Sequence, residues 1–178
     1  QGHTISGLTI AASSGNTGLF AETGSGAVIQ GIVLQNANVS LSSGSYVGVG
    51  ALVGKVSGAT EIRECGVSGS VSTSSSSALY VGGLVGYVYA KTTVDGCYGA
   101  ASVTGGSYSS GKVGGLIGYT YSAADVSNCY VTGEVTSKGA AAGALGYFST
   151  SSSNKVTLTN CFAACDVGGS ASYRYPFA

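Results

Sequence analysis

The sequence predicts an all-β protein, a parallel β-solenoid (β-helix) of about six rungs built from a 32-residue repeat. Two nearly identical segments, YVGGLVGYV at 80–88 and KVGGLIGYT at 112–120, first indicate the repeat. Chemically alike residues then recur in columns with the same 32-residue step. A constant period of this length is typical of solenoids, in which each repeat buries its apolar face against its neighbours. A sandwich of hairpins is the alternative, but its strands have no need to be alike.

Three columns establish the period, and we expect all of their members to be structural core positions. Two weaker units precede these columns, and there Ile32 and Leu8 take the place of cysteine, while Ile29 and Ile5 take the place of the branched residue. A position that accepts Leu or Ile is a buried apolar position. The columns are Cys65, Cys97, Cys129 and Cys161; Val71, Val103, Val135 and Val167; and Ile62, Val94, Val126 and Leu158.

The column cysteines are expected to be free, buried thiols. Zinc sites need cysteine pairs at short spacing, such as C-x2-C, and the sequence has none. Strands of adjacent rungs stand about 4.8 Å apart, but side chains that point side by side have poor disulfide geometry. A ladder of metal ligands or redox-active thiols is therefore the less favoured interpretation. Cys165 lies outside the column, at a place where other units have Gly or Ala, and is interpreted as one more small residue.

Each repeat is predicted to form three strands: a glycine-rich strand, an Ile/Val strand and a strand that runs from the cysteine to the valine column. A Ser/Gly loop leads back to the next repeat. A sharp corner is expected just before the cysteine column, because Gly and Asn tolerate a left-handed backbone. The six predicted corner residues are Gly7, Gly31, Glu64, Gly96, Asn128 and Asn160.

The chain is predicted to form a single solenoid domain over residues 1–172, with strong repeats at 45–168 and weaker rungs at 1–44. The motif glycine Gly146 comes 28 residues after Gly118, and the Ser/Thr-rich stretch at 149–153 restores the period. Residues 173–178, YRYPFA, break the pattern and carry the sole proline, so they are predicted to be a C-terminal tail or cap.

Composition narrows the classes of partner. The formal net charge is zero and only 8% of residues are charged, so nothing favours binding of nucleic acid. No apolar run approaches the length of a membrane span. The start at Gln1 and the absence of methionine indicate a piece of a longer precursor. We expect an extracellular or cell-surface location, with the remainder of a larger surface protein, identical subunits, a glycan or a host surface as partner.

The glycine-leucine segments resemble the GLUG repeats, which are named for Gly-Leu-(Val/Ile)-Gly. The segments are VGALVGKV, VGGLVGYV and VGGLIGYT, each followed by a segment like VSNCYVTGEV. The opening GHTISGLTI also resembles the start of such arrays in bacterial surface proteins, so the resemblance covers roughly residues 3–168. Such repeats are found in large secreted bacterial proteins, including adhesin-like chains and the non-catalytic regions of immunoglobulin A-cleaving metallopeptidases. The resemblance implies a secreted or surface-exposed structural or adhesive module, and it transfers no catalytic residue.

The residues themselves suggest no enzyme: we predict no catalytic, cofactor-binding or metal-binding residues and no cofactor. His3 is the sole histidine, and there is no H-E-x-x-H motif of a zinc peptidase. The carboxylates share no column, whereas a polysaccharide lyase on a β-helix would need acids clustered with Lys or Arg on one face.

Aromatic residues are the best candidates for a ligand or partner surface. One set follows the motif glycine and the other follows the cysteine column. Stacked aromatic residues also stabilise a solenoid, by about 0.5–1.5 kcal/mol per pair, so a purely structural role is the alternative. The candidate surface residues are Tyr87, Tyr119 and Tyr147, together with Tyr98, Tyr130 and Phe162.

Three functions remain open from the sequence. The favoured function is a non-enzymatic stalk or adhesin segment of a bacterial secreted or cell-surface protein. The alternative is a self-assembling filament subunit that stacks through its open solenoid ends and its tail. An ice-binding solenoid is the least favoured, because it requires a regular T-x-T array that the threonines do not form.

Overall fold

The computed structural model describes residues 2–77, 79–149 and 154–169, together with the backbone of residues 173–175. Within this part of the chain, 22 strands, numbered β1 to β22 in chain order, wind into a parallel β-solenoid of about five turns. The predicted all-β solenoid with a repeat of about 32 residues is confirmed. The described residues include no helix that is long and apolar enough to cross a membrane.

The strands stack into four parallel sheets, and each full turn contributes one strand to each sheet. Sheet 1 contains β1 (His3–Ser6), β2 (Thr9–Ala12), β5 (Ile32–Leu41), β9 (Gly66–Thr73), β13 (Tyr98–Thr104), β17 (Tyr130–Thr136) and β21 (Phe162–Gly168). Sheet 2 contains β6 (Val47–Gly50), β10 (Leu79–Gly82), β14 (Lys112–Gly114), β18 (Ala140–Ala142) and β22 (Tyr173–Tyr175). Sheet 3 contains β3 (Phe20–Thr23), β7 (Val53–Val56), β11 (Val85–Val88), β15 (Ile117–Thr120) and β19 (Leu145–Phe148). Sheet 4 contains β4 (Ala27–Gln30), β8 (Thr60–Arg63), β12 (Thr92–Asp95), β16 (Ala124–Ser127) and β20 (Val156–Thr159).

The prediction of three strands per repeat is wrong, because the glycine-rich segment divides into a sheet 2 strand and a sheet 3 strand. The chain bends between β10 and β11, and Leu84 at the bend is fully buried. The glycines then let sheets 2 and 3 approach until their backbones touch. A Cβ added at Gly118 would lie 2.6 Å from the Val81 nitrogen and 2.7 Å from the Gly86 oxygen, so no side chain fits there.

The left-handed corner is confirmed at five of its six predicted positions. Gly31, Glu64, Gly96, Asn128 and Asn160 have φ angles of 69°, 52°, 61°, 53° and 51°. Each of the first four donates its backbone N–H to a carbonyl of the following turn, so the corner is hydrogen-bonded along the solenoid.

The predicted register of the first unit is wrong. Ile5 pairs with Leu34, and His3 pairs with Ile32, so His3 rather than Leu8 stands beside the cysteine column. Gly7 does have a positive φ of 70°, but it follows the Ser6–Gln35 pair and therefore lies at the irregularity of sheet 1 near Asn36. The spacing of one Ile and one Leu was too little information to choose between two registers.

The three predicted columns line the interior, although burial differs between the middle turns and the last. Members of the middle turns are 0–2% exposed. The last members of the columns are only half-buried: Leu158 in β20, Val167 in β21 and Cys161 in the loop between these strands. A column residue is covered by the turns on both sides, and in the described part of the chain these three are covered on one side.

Part of the predicted C-terminal tail or cap, residues 173–178, is described by the structure. Tyr173–Tyr175 form β22, which pairs in parallel with β18 and so extends sheet 2. Residues 170–172 and 176–178 lie outside the described residues, as do 150–153 of the predicted Ser/Thr-rich insertion.

Candidate ligand-binding surface

Six tyrosines make a continuous chain of ring contacts across neighbouring turns, and we call them the tyrosine cluster. In-register pairing of sheet 3 places Tyr87 beside Tyr119 and Tyr119 beside Tyr147. The first pair of rings is stacked, with centroids 5.5 Å apart and planes at 11°, and the second pair is tilted at 5.9 Å. The cluster consists of Tyr80, Tyr87, Tyr89, Tyr119, Tyr121 and Tyr147.

Tyr80 joins the cluster from sheet 2 and was not predicted. Its ring centroid lies 4.7 Å from those of both Tyr87 and Tyr119. Its register partners in sheet 2 are Gly48 and Lys112, so no aromatic column marks this position in the sequence. The contact exists because the glycines bring sheets 2 and 3 together.

Tyr89 and Tyr121 form an outer row just beyond the ends of β11 and β15. Their rings stack at 5.5 Å with planes only 7° apart, and Tyr89 meets Tyr87 edge to face. The two side chains are 49% and 45% exposed. This row is therefore open to a partner.

Two lysines lie against the cluster. Lys55 occupies the place of Tyr87 in the preceding turn, and its Nζ is 5.0 Å from the Tyr89 ring centroid. Lys112 Nζ lies 4.3 Å from the ring centroid of Tyr147. A cation over an aromatic face is attractive and is worth about 0.5–1 kcal/mol at an exposed site. The surface is thus aromatic with a local positive charge.

Burial shifts the pKa values of several ionisable side chains on this surface towards their neutral forms. It raises the pKa of Tyr80, Tyr87 and Tyr119, and the neighbouring phenols raise that of Tyr87 further. A phenol is neutral at physiological pH even at its ordinary pKa, so these hydroxyls can both donate and accept hydrogen bonds. Burial also lowers the pKa of Lys112, because a desolvated ammonium is less stable than a hydrated one.

The second predicted aromatic set forms a separate stack on sheet 1. The rings of Tyr98 and Tyr130 stack at 5.2 Å, and those of Tyr130 and Phe162 at 5.6 Å, with planes within 12° of parallel. The Tyr98 ring lies directly over Gly66 of the preceding turn. Among the described rings, no contact joins this stack to the tyrosine cluster. The six predicted surface residues therefore belong to two surfaces.

Metal-binding groups are not brought together in the described part of the chain. No set of three or more His, Cys, Asp or Glu side chains there has the geometry to hold a metal ion. All five cysteines are free thiols: Cys65, Cys97 and Cys129 are buried, and Cys161 and Cys165 are half-buried.

The fold and the aromatic surface define the class of protein: a parallel β-solenoid built from glycine-rich repeats. Residues 109–136 match the family model described as the GLUG motif, so the resemblance drawn from the sequence is confirmed. No curated protein matches the chain in sequence.

The chain is also similar in fold to a crystal structure from Bacteroides ovatus, determined at 1.30 Å resolution and described as a "putative immunoglobulin A1 protease". The TM-score is 0.51 at 16% sequence identity. The alignment covers 98% of this chain and 66% of that one. At this identity the likeness concerns the solenoid fold alone.

Proposed function

We propose that the chain is a non-enzymatic structural and adhesive module of a bacterial secreted or cell-surface protein. The observation that carries the proposal is the tyrosine cluster: six rings in continuous contact over neighbouring turns, with two lysines against them. The GLUG motif at 109–136 and the likeness in solenoid fold support a structural module built from repeats.

The structural part of the proposal rests on how the turns support one another. Each full turn is hydrogen-bonded to the next full turn in all four sheets, and alike core residues stack along the axis. Such a stack is stiff, because bending it would break backbone hydrogen bonds in at least one sheet. A stiff rod suits a spacer that holds another part of a protein away from a surface.

The adhesive part rests on exposed aromatic surface. Tyr89, Tyr121 and Tyr147 are each between 45% and 49% exposed, although aromatic rings gain free energy on burial. Tyrosine is enriched at interfaces, since it combines a large apolar face with a hydroxyl group. A partner that covers these rings would gain contact area without reorganising the solenoid.

The test is adhesion of beads coated with the purified chain to mucin-coated and cell-coated surfaces under flow. The double variant Tyr89→Ser/Tyr121→Ser removes the outer row of the cluster, and Tyr98→Ser/Tyr130→Ser removes the sheet 1 stack. Circular dichroism and thermal unfolding check that both variants fold. We expect the wild-type beads to adhere and the first variant to lose adhesion. If the wild type does not adhere, or if neither variant changes adhesion, the adhesive role is wrong.

A second candidate function is a filament subunit that stacks end to end. The observation that favours it is the half-burial of Leu158 and Cys161, whose counterparts one turn earlier, Val126 and Cys129, are each 2% exposed. A turn from an identical subunit would cover these residues as an internal turn does. Negative-stain electron microscopy at micromolar concentration decides: filaments support this candidate, and single short rods reject it.

A further inference from the structure

A concave site of about 340 Å³ lies where the tyrosine cluster meets sheet 2. Tyr80, Tyr119 and Tyr147 supply its aromatic wall, and Lys112 supplies its charge. Tyr46 and Tyr108 stand at the rim with Ser110, and they are 68% and 38% exposed. The volume falls near the lower end of the range for small-molecule sites, which is about 300–1,000 Å³.

The ammonium of Lys112 lacks a carboxylate partner among the described residues. Lys55, the other lysine on this surface, lies 3.7 Å from Glu22 and is paired. Lys112 instead lies over the Tyr147 ring, and its partial burial disfavours the charged form. An anionic group of a ligand would offset this desolvation. Such a ligand would supply the negative charge that the described residues do not place beside Lys112.

Tyr46 at the rim is held in an unfavourable backbone conformation. Its φ is 57°, in the left-handed region that a bulky aromatic residue seldom adopts. Such conformations cost of order 1–3 kcal/mol and cluster at ligand sites, where the surroundings hold them. The strain places a large exposed ring beside the opening of the site.

We propose that this site binds a carboxylate-bearing monosaccharide unit of a glycan, that is, a uronic or a sialic acid. Aromatic faces accept the apolar C–H side of a sugar ring, and neutral phenol hydroxyls with Ser110 are matched to sugar hydroxyls. The Lys112 ammonium pairs with the carboxylate. The inference rests on the adhesive role proposed above and names its ligand class.

Isothermal titration calorimetry of the purified chain tests the inference by measuring its affinity for four probes. Polygalacturonate and sialyllactose carry the carboxylate, whereas galactan and lactose are the neutral counterparts. We expect at least one acidic probe to bind ten-fold or more tightly than its neutral counterpart, and the two acidic probes distinguish uronic from sialic acid. Lys112→Gln should weaken acidic binding ten-fold or more, and Lys112→Arg should keep it within about three-fold.

The matched control is Lys91→Gln, which removes an equal charge from the loop before β12, away from this site. It should leave binding unchanged. A second variant, Tyr147→Leu, removes one aromatic wall and should weaken binding of the acidic probe while the charge remains.

Equal binding of acidic and neutral probes, no binding of either acidic probe, or full binding by Lys112→Gln would overturn the inference. The proposed function is judged separately by the bead assay. If the beads adhere but no acidic probe binds, the adhesive role stands and the ligand class is wrong. If an acidic probe binds but the beads do not adhere, the site exists and the adhesive role is wrong.

Discussion

The backbone N–H of Cys65 donates a hydrogen bond to Sγ of Cys97 in the next turn, at 3.4 Å. Cys97 makes the same bond to Cys129, also at 3.4 Å. The Cys97 thiol in turn lies 3.3 Å from the carbonyl oxygen of Asp95 and donates to it. The cysteine column is therefore a ladder of hydrogen bonds at the corner as well as part of the core, which a Leu or Ile in that place cannot reproduce.

Thiol reactivity should follow position in this ladder. In native protein at neutral pH, we expect maleimide to modify Cys161 and Cys165 first, because they are half-buried, and Cys97 only after unfolding. Hydrogen bonds with Cys129 and Cys65, together with burial, raise the pKa of Cys97, so its reactive thiolate is also disfavoured. Peptide mass spectrometry over a labelling time course measures the order. Modification of Cys97 as fast as Cys165 would contradict the prediction.

The contact between sheets 2 and 3 should tolerate no side chain at Gly118. The variant Gly118→Ala forces a Cβ against the backbone atoms of Val81 and Gly86, which cannot move aside. We expect a loss of about 1–3 kcal/mol in the free energy of unfolding, measured in urea. Gly24→Ala is the control: Gly24 is exposed and has open space around a Cβ, so its effect should be within about 0.5 kcal/mol. Equal effects of the two substitutions would disprove the close packing.

Replacing Thr120 by valine should increase the free energy of unfolding. It lies beside Val88 in sheet 3, is fully buried, and its hydroxyl has no hydrogen-bond partner among the described residues. Thr120→Val keeps the shape and removes the unpaired hydroxyl, so we expect a gain of about 1 kcal/mol in urea unfolding.

The matched substitution Thr92→Val should instead decrease the free energy of unfolding. Thr92 is also buried, but its hydroxyl donates to the carbonyl oxygen of Ala90 at 2.8 Å. Removing that bond should cost about 1 kcal/mol. A loss of stability in both variants would show that the Thr120 hydroxyl is satisfied in solution.

The corner residue Glu64 carries backbone strain that glycine would relieve. A left-handed conformation costs an ordinary residue about 1–2 kcal/mol, and the φ of Glu64 is 52°. Glu64→Gly gives back that cost but increases the freedom of the unfolded chain, so we expect a net gain of about 0.5 kcal/mol. Gly96→Ala, at the same corner one turn later, should lose about 1 kcal/mol. Thermal and urea unfolding of the pair provide the measurement, and changes of the same sign would refute the reasoning.

Asp95 should contribute to stability in a pH-dependent way. Hydrogen bonds from Ser127 at 2.6 Å and Asn128 at 2.8 Å hold its pKa below the ordinary value of 3.8. A lowered pKa means that the contribution is present above the ordinary pKa and is lost as pH falls through the lowered one. The stability difference between wild type and Asp95→Asn should therefore shrink between pH 7 and about pH 3. A difference that is the same at both pH values would be inconsistent with this role.

The sequence predicts which residues are neighbours along the solenoid axis, because equivalent residues of successive turns stack on one another. The corner shows this: the residue before the cysteine column, in which Ile32 takes the place of cysteine in one turn, is Gly or Asn in four of five turns. Glu64 adopts the same backbone in the fifth. The first unit was misplaced for the opposite reason. It has no cysteine and no glycine-leucine motif, so only two apolar residues constrained its register.

The sequence does not predict contacts between residues that lie in different sheets. The neighbours of Tyr80 at the same place in the repeat are Gly48 and Lys112, and its ring partners belong to another sheet. Lys112 stands in the repeated segment itself, yet nothing in the period places it against Tyr147.

The amino-acid sequence was thus sufficient to establish a parallel solenoid, its period, its corner and its interior columns. A stack of alike turns requires like residues to recur at a constant spacing, and that spacing is visible in the chain. Tertiary structure alone decided that the glycine-rich segment bends into two sheets and that Tyr80, Lys112 and Tyr147 share one site. The physical reason is that periodicity reports neighbours along the axis, whereas contacts across a turn depend on how closely two glycine-lined backbones approach.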